Sequence, residues 1–373
     1  MSNIKRIGIV LLVVTVFVVI GASFKGSNIL DRCIILGLGV DGDEDEITLT
    51  AEVVAPGNGT EQVGTFSKTV TVKGKTIAEA IQNVAEHTGK EASLGQCVMI
   101  VFGQQYYEKV DLSDTIEYLV NHHSLKESSV ICCCEGDAQD LYNNMDALSQ
   151  SVSLSVSGSL LDEAQKIAVK TNNLLEYARS QRELHCTGYL NKVKFVPSDN
   201  KDSNAPDKTQ GFFTYREIAV FRQNKYVCAL TEEEVQGMAL FVKDVVGETF
   251  VVEQDGMKRT LQVSHKSLDF KPVNGGLEIK IKLEVRYGRT DSEEVSGALA
   301  AKRDKEIDTK LLQQVQKQAQ ALAERYIDKQ AEQDFDLLKF HEIYRQKEGT
   351  NAKLAAKPTA DFPVKLTVEV VED

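Results

Sequence analysis

The chain has 373 residues and a formal net charge of −12, with 42% hydrophobic and 26% charged residues. This composition is typical of a folded globular protein and excludes a largely disordered chain. The length exceeds that of a single hydrophobic core, so two or three domains are expected. The acidic balance argues against nucleic-acid binding and against polybasic attachment to lipid.

The first predicted element is an apolar segment, Ile7 to Phe24, which contains no charged residue and follows Lys5 and Arg6. A helix needs about 17–25 apolar residues to cross a bilayer, and the positive flank predicts that the rest of the chain lies outside the cytoplasm. Residues 1–25 are therefore interpreted as a membrane anchor. Its apolar side chains are those of Ile7, Val10, Leu11, Val14, Phe17, Val18 and Ile20. The alternative is a signal peptide cleaved after small residues at 21–23, but the apolar run is longer than the usual signal core of about 7–15 residues.

Residues 26–196 alternate predicted strands and helices, which indicates an α/β region that could contain two domains. The strands are expected at Cys33–Val40, Ile47–Val54, Thr69–Lys73, Cys97–Phe102 and Val130–Cys134. Three helices are expected. The first follows an N-cap at Thr76 and has the apolar face Ile77, Ala80, Ile81, Val84 and Ala85; the second follows an N-cap at Ser113 and has the apolar face Ile116, Leu119 and Val120; the third begins at Ala138. The Ser-rich stretch Ser149–Gly158 suits a connector or an exposed edge, and helical spacing returns over Leu160–Leu184.

Residues 197–211 have no apolar periodicity and are interpreted as a linker to a C-terminal α+β domain at 212–373. This domain begins with a hairpin that turns at Gln223–Asn224 and leads into a helix with a capping box of Thr231 and Glu234. One sheet is predicted from Glu217–Phe221, Lys225–Leu230, Thr249–Val252, Arg259–Val263, Leu277–Tyr287 and Val364–Val371.

A long helical pattern from Asp304 to about Lys347 is expected to cover that sheet. Its apolar stripe consists of Ile307, Leu311, Val315, Ala319, Leu322, Tyr326 and Phe335. Gln313 and Gln320 fall on other faces of this helix. The expected fold class is α+β, or mixed α/β. It comprises an N-terminal transmembrane helix and two to three exported domains, each with a mostly antiparallel or mixed sheet packed by helices.

The glycines of the stretch Gly37-Leu38-Gly39-Val40-Asp41-Gly42 match the spacing of the dinucleotide-binding motif G-x-G-x-x-G. In a nucleotide site, such a motif leads into a helix whose N-terminus binds phosphate. Here a run of four carboxylates and then a strand follow instead. The stretch is therefore interpreted as a glycine-containing strand and hairpin.

The acidic residues of the same region also match part of a calcium-binding loop. Asp41, Asp43, Asp45 and Glu52 occupy its first, third, fifth and twelfth positions. The sixth position requires glycine for a sharp turn, but it holds Glu46, and the following residues alternate as a strand does. The interpretation is a solvated acidic turn, and neither a metal nor another cofactor is expected.

His122 and His123 follow a predicted helix, with Asp114 or Glu117 nearby, and could form a general base or half of a metal site. Adjacent helical residues face different directions, so histidines that meet the C-terminal helix dipole are the favoured interpretation. The run Cys132-Cys133-Cys134 lies in a predicted strand and is typical of small buried hydrophobes. No hydrolase elbow or zinc-protease motif occurs, so a binding or assembly module, not an enzyme, is predicted.

Four stretches, taken in order, resemble the Ger(x)C family, the C subunits of spore germinant receptors. They are an opening strand from Leu30-Asp31-Arg32 to Asp41 with a second strand ending Val54-Ala55-Pro56; a hairpin and helix from Ala219 to Gly237; a long helix from Leu322 to Asp336; and a closing strand from Val364 to Val370. Family members are typically lipoproteins that begin Cys-Trp-Asp after the signal peptide. This chain has Ala22-Ser23-Phe24 and no Trp, so a transmembrane helix would replace the lipid as the tether.

The resemblance implies a mixed α/β body of three domains without catalysis. It also implies assembly with two integral-membrane subunits, of the A and B types, at the spore inner membrane, where nutrients trigger germination. Which small molecule, if any, binds directly is left open. The alternatives from other classes are a membrane-anchored hydrolase that uses dispersed carboxylates and a stand-alone extracytoplasmic solute-binding module.

Overall fold

The computed structural model describes residues 12–16, 31–54, 67–143, 151–163, 169–182, 187–197, 211–242, 248–254, 256–273, 276–288, 307–348 and 362–373. Residues 12–16 of the predicted anchor are helical, and the other anchor residues, including Ile7, Val10, Leu11, Phe17, Val18 and Ile20, lie outside these ranges. Within the ranges, no helix is long and apolar enough to cross a membrane. The transmembrane helix therefore stays a prediction.

The first half alternates strands and helices, as the sequence pattern predicts. Its strands are β1 (Arg32–Gly42), β2 (Ile47–Val54), β3 (Ser67–Gly74), β4 (Glu91–Ser93), β5 (Met99–Phe102), β6 (Val130–Cys134) and β7 (Thr187–Pro197). Its helices are α1 (Ile77–Thr88), α2 (Gln104–Lys109), α3 (Ser113–Asn121), α4 (Ala138–Asn143), α5 (Val152–Glu163) and α6 (Leu174–Ser180). Thr76 caps α1 as expected, because its hydroxyl accepts a hydrogen bond from the amide of Glu79.

In its described residues, the second half contains the predicted hairpin, a longer meander and three helices. Its strands are β8 (Gly211–Arg222), β9 (Lys225–Leu230), β10 (Thr249–Gln254), β11 (Met257–Val273), β12 (Gly276–Tyr287) and β13 (Val364–Glu372). Its helices are α7 (Glu232–Ala239), α8 (Thr309–Glu332) and α9 (Phe340–Glu348). The turn residues Gln223 and Asn224 both have positive φ, as a tight two-residue hairpin requires, and the capping box of Thr231 and Glu234 is present.

Two sheets organise the described part of the chain. The first has the strand order β3-β2-β1-β5-β6-β7-β8-β9, with β4 beside β1. Its centre, β1-β5-β6-β7, is parallel, and both flanks are antiparallel. The second sheet has the order β10-β11-β12-β13 and ends in a parallel pair. This mixed α/β architecture agrees with the expected fold class.

Helices cover both faces of the first sheet. One core lies under α1, α2, α3 and α6, and a smaller core lies under α4 and α5. Successive residues of β6 enter opposite cores, which explains why this strand has a continuous apolar sequence. The second sheet packs its inner face on the apolar stripe of α8 and on α9, where Leu311, Val315 and Tyr326 are almost fully buried.

The predicted membership of the second sheet is wrong in one respect. The hairpin β8-β9 does not join β10-β13, because β8 pairs along most of its length with β7 and so extends the first sheet. Long cross-strand pairing with β7 outweighs proximity in sequence to β10. The domain limits at 197–211 stay a prediction, since most of that segment lies outside the described ranges.

Three helix predictions are also corrected. Residues 152–163 form α5 and not a connector, because Val152, Val156 and Leu160 recur at helical spacing and are buried. The pattern over Leu160–Leu184 does not give one helix: α6 begins only at Leu174, where Asn173 supplies a capping box. Ser113 is the first residue of α3 and not its cap. Its amide donates to the carboxylate of Asp111.

The helical pattern from Asp304 to Lys347 is divided between α8 and α9. Asp334 and Lys339 adopt positive φ in the elbow between the two helices. Leu322 is only half-buried, and the side chain of Gln320 contacts β13 instead of facing solvent. The rest of the predicted stripe is buried, and Ala323 is buried in place of Leu322. The buried members are Ile307, Leu311, Val315, Ala319, Tyr326 and Phe335.

Candidate functional site

The two outer carboxylates of the calcium template are buried against the first sheet. Asp41 lies at the end of β1, not in the turn, and its Oδ1 and Oδ2 accept hydrogen bonds of 2.8 and 2.9 Å from the amides of Ala138 and Gln139. These amides belong to the first turn of α4. A carboxylate at this position satisfies free helical N–H groups and meets the positive end of the helix dipole. Asp41 therefore holds the N-terminus of α4.

Glu52 makes an equivalent contact with the next helix. It is fully buried on β2, and its Oε1 and Oε2 accept hydrogen bonds of 3.0 and 2.9 Å from the amides of Val152 and Ser153 at the start of α5. The hydroxyl of Ser67 on β3 donates a third bond of 2.7 Å. All these donors come from other parts of the chain, so Glu52 joins three elements.

The glycines of the G-x-G-x-x-G match let these helices approach the sheet. A side chain on Gly37 would collide with Ser153, and one on Gly39 would lie 3.0 Å from the Cβ of Ala138. A side chain on Gly103 would similarly collide with the carboxylate of Asp41. The strand therefore needs glycine where helix ends meet it. This confirms the interpretation of the motif as a glycine-containing strand.

The charge of Asp41 is costly in this setting. Burial raises its pKa to about 6, an effect that the two amide hydrogen bonds oppose and that Asp137 and Asp140 reinforce. Asp41 and Glu52 position helices, because every oxygen of the two carboxylates already accepts a hydrogen bond from the protein.

The other acidic template residues behave as a solvated turn. Asp43 accepts hydrogen bonds of 3.0 Å from the amides of Asp45 and Glu46, and all three residues are exposed. Asp43 and Asp45 are thus separated in role from Asp41 and Glu52. Within the part of the chain that the structure describes, no group of three or more His, Cys, Asp or Glu side chains is arranged to hold a metal.

The two histidines at the end of α3 do not face apart. Their rings stack with centroids 5.1 Å apart, because His122 leaves helical geometry as the C-cap residue. Burial, followed by the proximity of His123, lowers the pKa of His122. Its Nδ1 lies 3.2 Å from the hydroxyl of Ser124. The expectation that adjacent histidines point in different directions is wrong here, since it applies only inside a helix.

The three consecutive cysteines occupy the centre of the first sheet. Cys132, Cys133 and Cys134 are fully buried free thiols, and burial raises the pKa of each well above its ordinary value. Cys97 is equally buried, and its pKa is raised to about 12. Burial makes these thiols packing residues, which for Cys132, Cys133 and Cys134 agrees with the sequence pattern.

Sequence reasoning missed a third buried carboxylate at a helix end. Asp336 accepts hydrogen bonds of 2.9 and 3.1 Å from the amides of Phe340 and His341 at the start of α9. The Nδ1 of His341 also lies 2.9 Å from this carboxylate. The available signal was an Asp shortly before an apolar helical pattern, but the assumption of one continuous helix concealed it.

Glutamines of α8 form a second set of contacts that the sequence did not reveal. The amide of Gln314 binds both the N–H and the C=O of Glu253 on β10, at 3.1 and 3.0 Å. Gln318 donates to the carbonyl of Val251 on the same strand. Across the sheet, Gln320 accepts a bond of 3.0 Å from the amide of Val368 on β13. The two edges of the second sheet are therefore both bonded to one helix.

An open groove of about 380 Å³ runs between α7 and α8. It is lined by Glu234, Ala321, Glu324, Arg325, Asp328, Lys329 and Glu332. The charges are mixed, and Glu234 is already engaged by the amide of Thr231 in the capping box. Most of its walls are exposed helical side chains, so the groove lacks the apolar enclosure of a typical ligand pocket.

Comparisons with known proteins assign the chain to a family. Residues 26–193 match the model of the spore germination protein N-terminal domain, and residues 216–372 match the C-terminal model described as spore germination B3/GerAC like. A comparison with curated proteins finds no match.

The fold also has a solved counterpart, described as "Crystal Structure of the GerBC protein". The two chains are 15% identical, the match covers 90% of this chain and 97% of the other, and the TM-score is 0.50. At this identity the likeness establishes the fold alone. The two family matches together span most of the chain in the order expected from the sequence, so this protein belongs to the Ger(x)C family of spore germination proteins.

Proposed function

We propose that the chain is a non-catalytic, membrane-tethered subunit of a nutrient germinant receptor, with its body outside the cytoplasm at the spore inner membrane. The observation that carries the proposal is the pair of family matches, which cover the N-terminal and C-terminal parts of the body in order. The conclusion that the protein takes part in spore germination follows from family membership.

The proposed absence of catalysis is supported by the roles of the carboxylates. Asp41, Glu52 and Asp336 are buried and bind the first turns of α4, α5 and α9. A hydrolase would need at least one such group free to reach a substrate. The alternative of a hydrolase built on these carboxylates is therefore not favoured.

The tether is proposed to be the apolar segment Ile7–Phe24. Its described part is helical, and the side chains of Leu12 and Val14 are 67% and 54% exposed. Apolar side chains on the outside of a helix suit lipid contact. Introducing Val14→Arg should weaken retention in the membrane fraction, because a central Arg costs roughly 2.5–3.5 kcal/mol on insertion scales.

The anchor test is alkaline carbonate washing of membranes, followed by intact-mass analysis of the retained chain. The wild type and the uncharged control Thr15→Ser should stay in the pellet at full mass. A chain that begins near Phe24 and washes free would identify the segment as a cleaved signal peptide.

The partners are proposed to be two integral-membrane subunits, of the A and B types. Affinity purification of the tagged full chain from spore membranes, in mild detergent, should recover two polytopic membrane proteins together with it. A tagged membrane protein of unrelated function serves as the control. Recovery of the chain alone from intact membranes would count against the receptor proposal and in favour of a stand-alone solute-binding module.

A further inference from the structure

The hairpin β8-β9 contributes to the cores on both sides of it. Ala219 and Phe221 point into the core of the first sheet, whereas Ile218 and Val220 point into the core that contains α8. All four side chains are fully buried. Because neighbouring residues on a strand face opposite sides, one strand packs against both halves of the body.

The next element, α7, makes a close contact with α8. Its N-terminus is fixed directly after β9 by the capping box of Thr231 and Glu234. Gly237, on its buried side, lies so near α8 that an added Cβ would collide with the backbone carbonyl of Leu322. The atom in the way belongs to the main chain, so it cannot move aside as a flexible side chain would.

The C-terminus of α7 is bound by a buried lysine of the second sheet. The Nζ of Lys266 donates to the carbonyl of Ala239, the last residue of α7, at 2.7 Å, and to Oε1 of Glu248 at 2.9 Å. The side chain of Lys266 has no exposed surface. A bulge in β11 between Val263 and His265 shifts the alternation so that Lys266 faces the core.

A third contact joins the end of β8 to the elbow between α8 and α9. The guanidinium of Arg222 donates to the backbone carbonyl and to Oδ2 of Asp334, at 2.8 and 3.0 Å. Asp334 has a positive φ of 51°, so this arginine engages the elbow at one of its two strained positions. The pair is partly exposed and contributes less than the two buried contacts.

We propose that β8, β9 and α7 form a rigid coupler between the two sheets. A displacement of either sheet is passed to the other through the Gly237, Lys266 and Arg222 contacts, and the body unfolds and moves as one unit instead of bending at a hinge. The proposal is independent of the proposed receptor function, because it concerns only how the two sheets are joined.

Gly237→Ala tests the coupler in the full chain, with Gly158→Ala in α5 as the matched control. Both changes place alanine in a helix, which alone favours helix formation. A side chain on Gly158 would meet nothing within 4 Å, whereas one on Gly237 meets the α8 backbone. The control should keep one calorimetric transition at an unchanged or higher midpoint. Gly237→Ala should instead give two calorimetric transitions. Its backbone amides in β10-β13 should exchange about tenfold faster than those in β5-β7.

If Gly237→Ala unfolds the protein, Lys266→Met decides the question, because methionine keeps the buried volume and removes the charged donor. Faster hydrogen exchange in α7 and in the centre of β11, with β5-β7 unchanged, is the expected result. A single transition for Gly237→Ala, or wild-type exchange in α7 for Lys266→Met, would overturn the proposal.

Discussion

The two sheets are bonded to their helices in opposite ways. In the first sheet, carboxylates on the strands bind the backbone of helices, as Glu52 does at the start of α5. In the second sheet, amide side chains on a helix bind the backbone of the strands, as Gln320 does on β13. The difference follows from topology, since the first sheet has buried faces on which helix ends must be satisfied. The second sheet has edges that would otherwise be open to further strands.

The comparison implies that α8 is as essential to the second sheet as the strands themselves. Val315→Asp, at a fully buried position of α8, should lower the free energy of unfolding by about 4 kcal/mol or more, because it buries an unpaired charge and leaves a poorly filled core. Urea denaturation followed by circular dichroism measures the change. The exposed control Gln313→Asp should shift it by less than about 0.5 kcal/mol. Leu322→Asp, at a half-buried position, should lower the free energy of unfolding by an intermediate amount. A loss equal to that of Val315→Asp would mean that the buried stripe has been assigned to the wrong face of α8.

The first sheet should depend almost as strongly on one carboxylate. Glu52→Ala removes the acceptor of three hydrogen bonds in a buried site, so we expect a loss of about 3–4 kcal/mol in the free energy of unfolding. Hydrogen exchange should locate the damage at the start of α5. The exposed Glu44→Ala is the control. If the exchange rates of α5 stayed at their wild-type values, the helix would be held by its apolar contacts alone.

Asp41 should make the stability of the first sheet depend on pH. Because its pKa in the folded protein is raised to about 6 from an unfolded value of 3.8, its contribution to stability is fully present below the unfolded value and is lost as pH rises through about 6. The loss should be less than about 3 kcal/mol. Urea titrations between pH 4 and pH 7 should show this decline in the wild type, and Asp41→Asn should flatten it. A stability that instead rises with pH through Asp41 would mean that the amide hydrogen bonds outweigh burial.

The smallest effects are expected at the edges of the second sheet. Gln314→Ala and Gln320→Ala should each cost about 1–2 kcal/mol, since each glutamine makes two hydrogen bonds to a strand edge. The double variant should also self-associate with increasing concentration in sedimentation experiments, because exposed strand edges can pair. Gln313→Ala, on the solvent side of α8, should do neither.

Local patterns predicted most of the secondary structure. The strands β1, β2, β6 and β12, the turn at Gln223–Asn224 and the cap at Thr231 follow from apolar spacing and turn chemistry, which are encoded within a few residues. The prediction for the start of α5 is wrong because serine, which is frequent there, favours caps and turns. Only three apolar residues, Val152, Val156 and Leu160, carry the helical spacing. The break after α8 was missed because its apolar stripe continues in phase into α9.

The contacts of the candidate site could not be predicted in the same way. The spacing of Asp41 and Glu52 matches a calcium loop, but the helix amides of Ala138 and Val152 that bind them lie 97 and 100 residues further along the chain, and no local rule links them. The glycines at 37 and 39 were correctly assigned to a strand. The need for glycine at these positions comes from the close approach of two helix ends, which depends on how α4 and α5 return to the sheet. Likewise, the placement of β8 beside β7 depends on long-range pairing.

The cysteines of β6 have a consequence for the redox chemistry of the folded chain. Cys132 and Cys134 point to one side of the sheet and Cys133 to the other, so adjacent thiols are separated by the strand itself. Disulfide exchange needs an accessible thiolate, and burial denies both access and ionisation. Once folded, the central strand is therefore indifferent to the oxidising or reducing state of its surroundings.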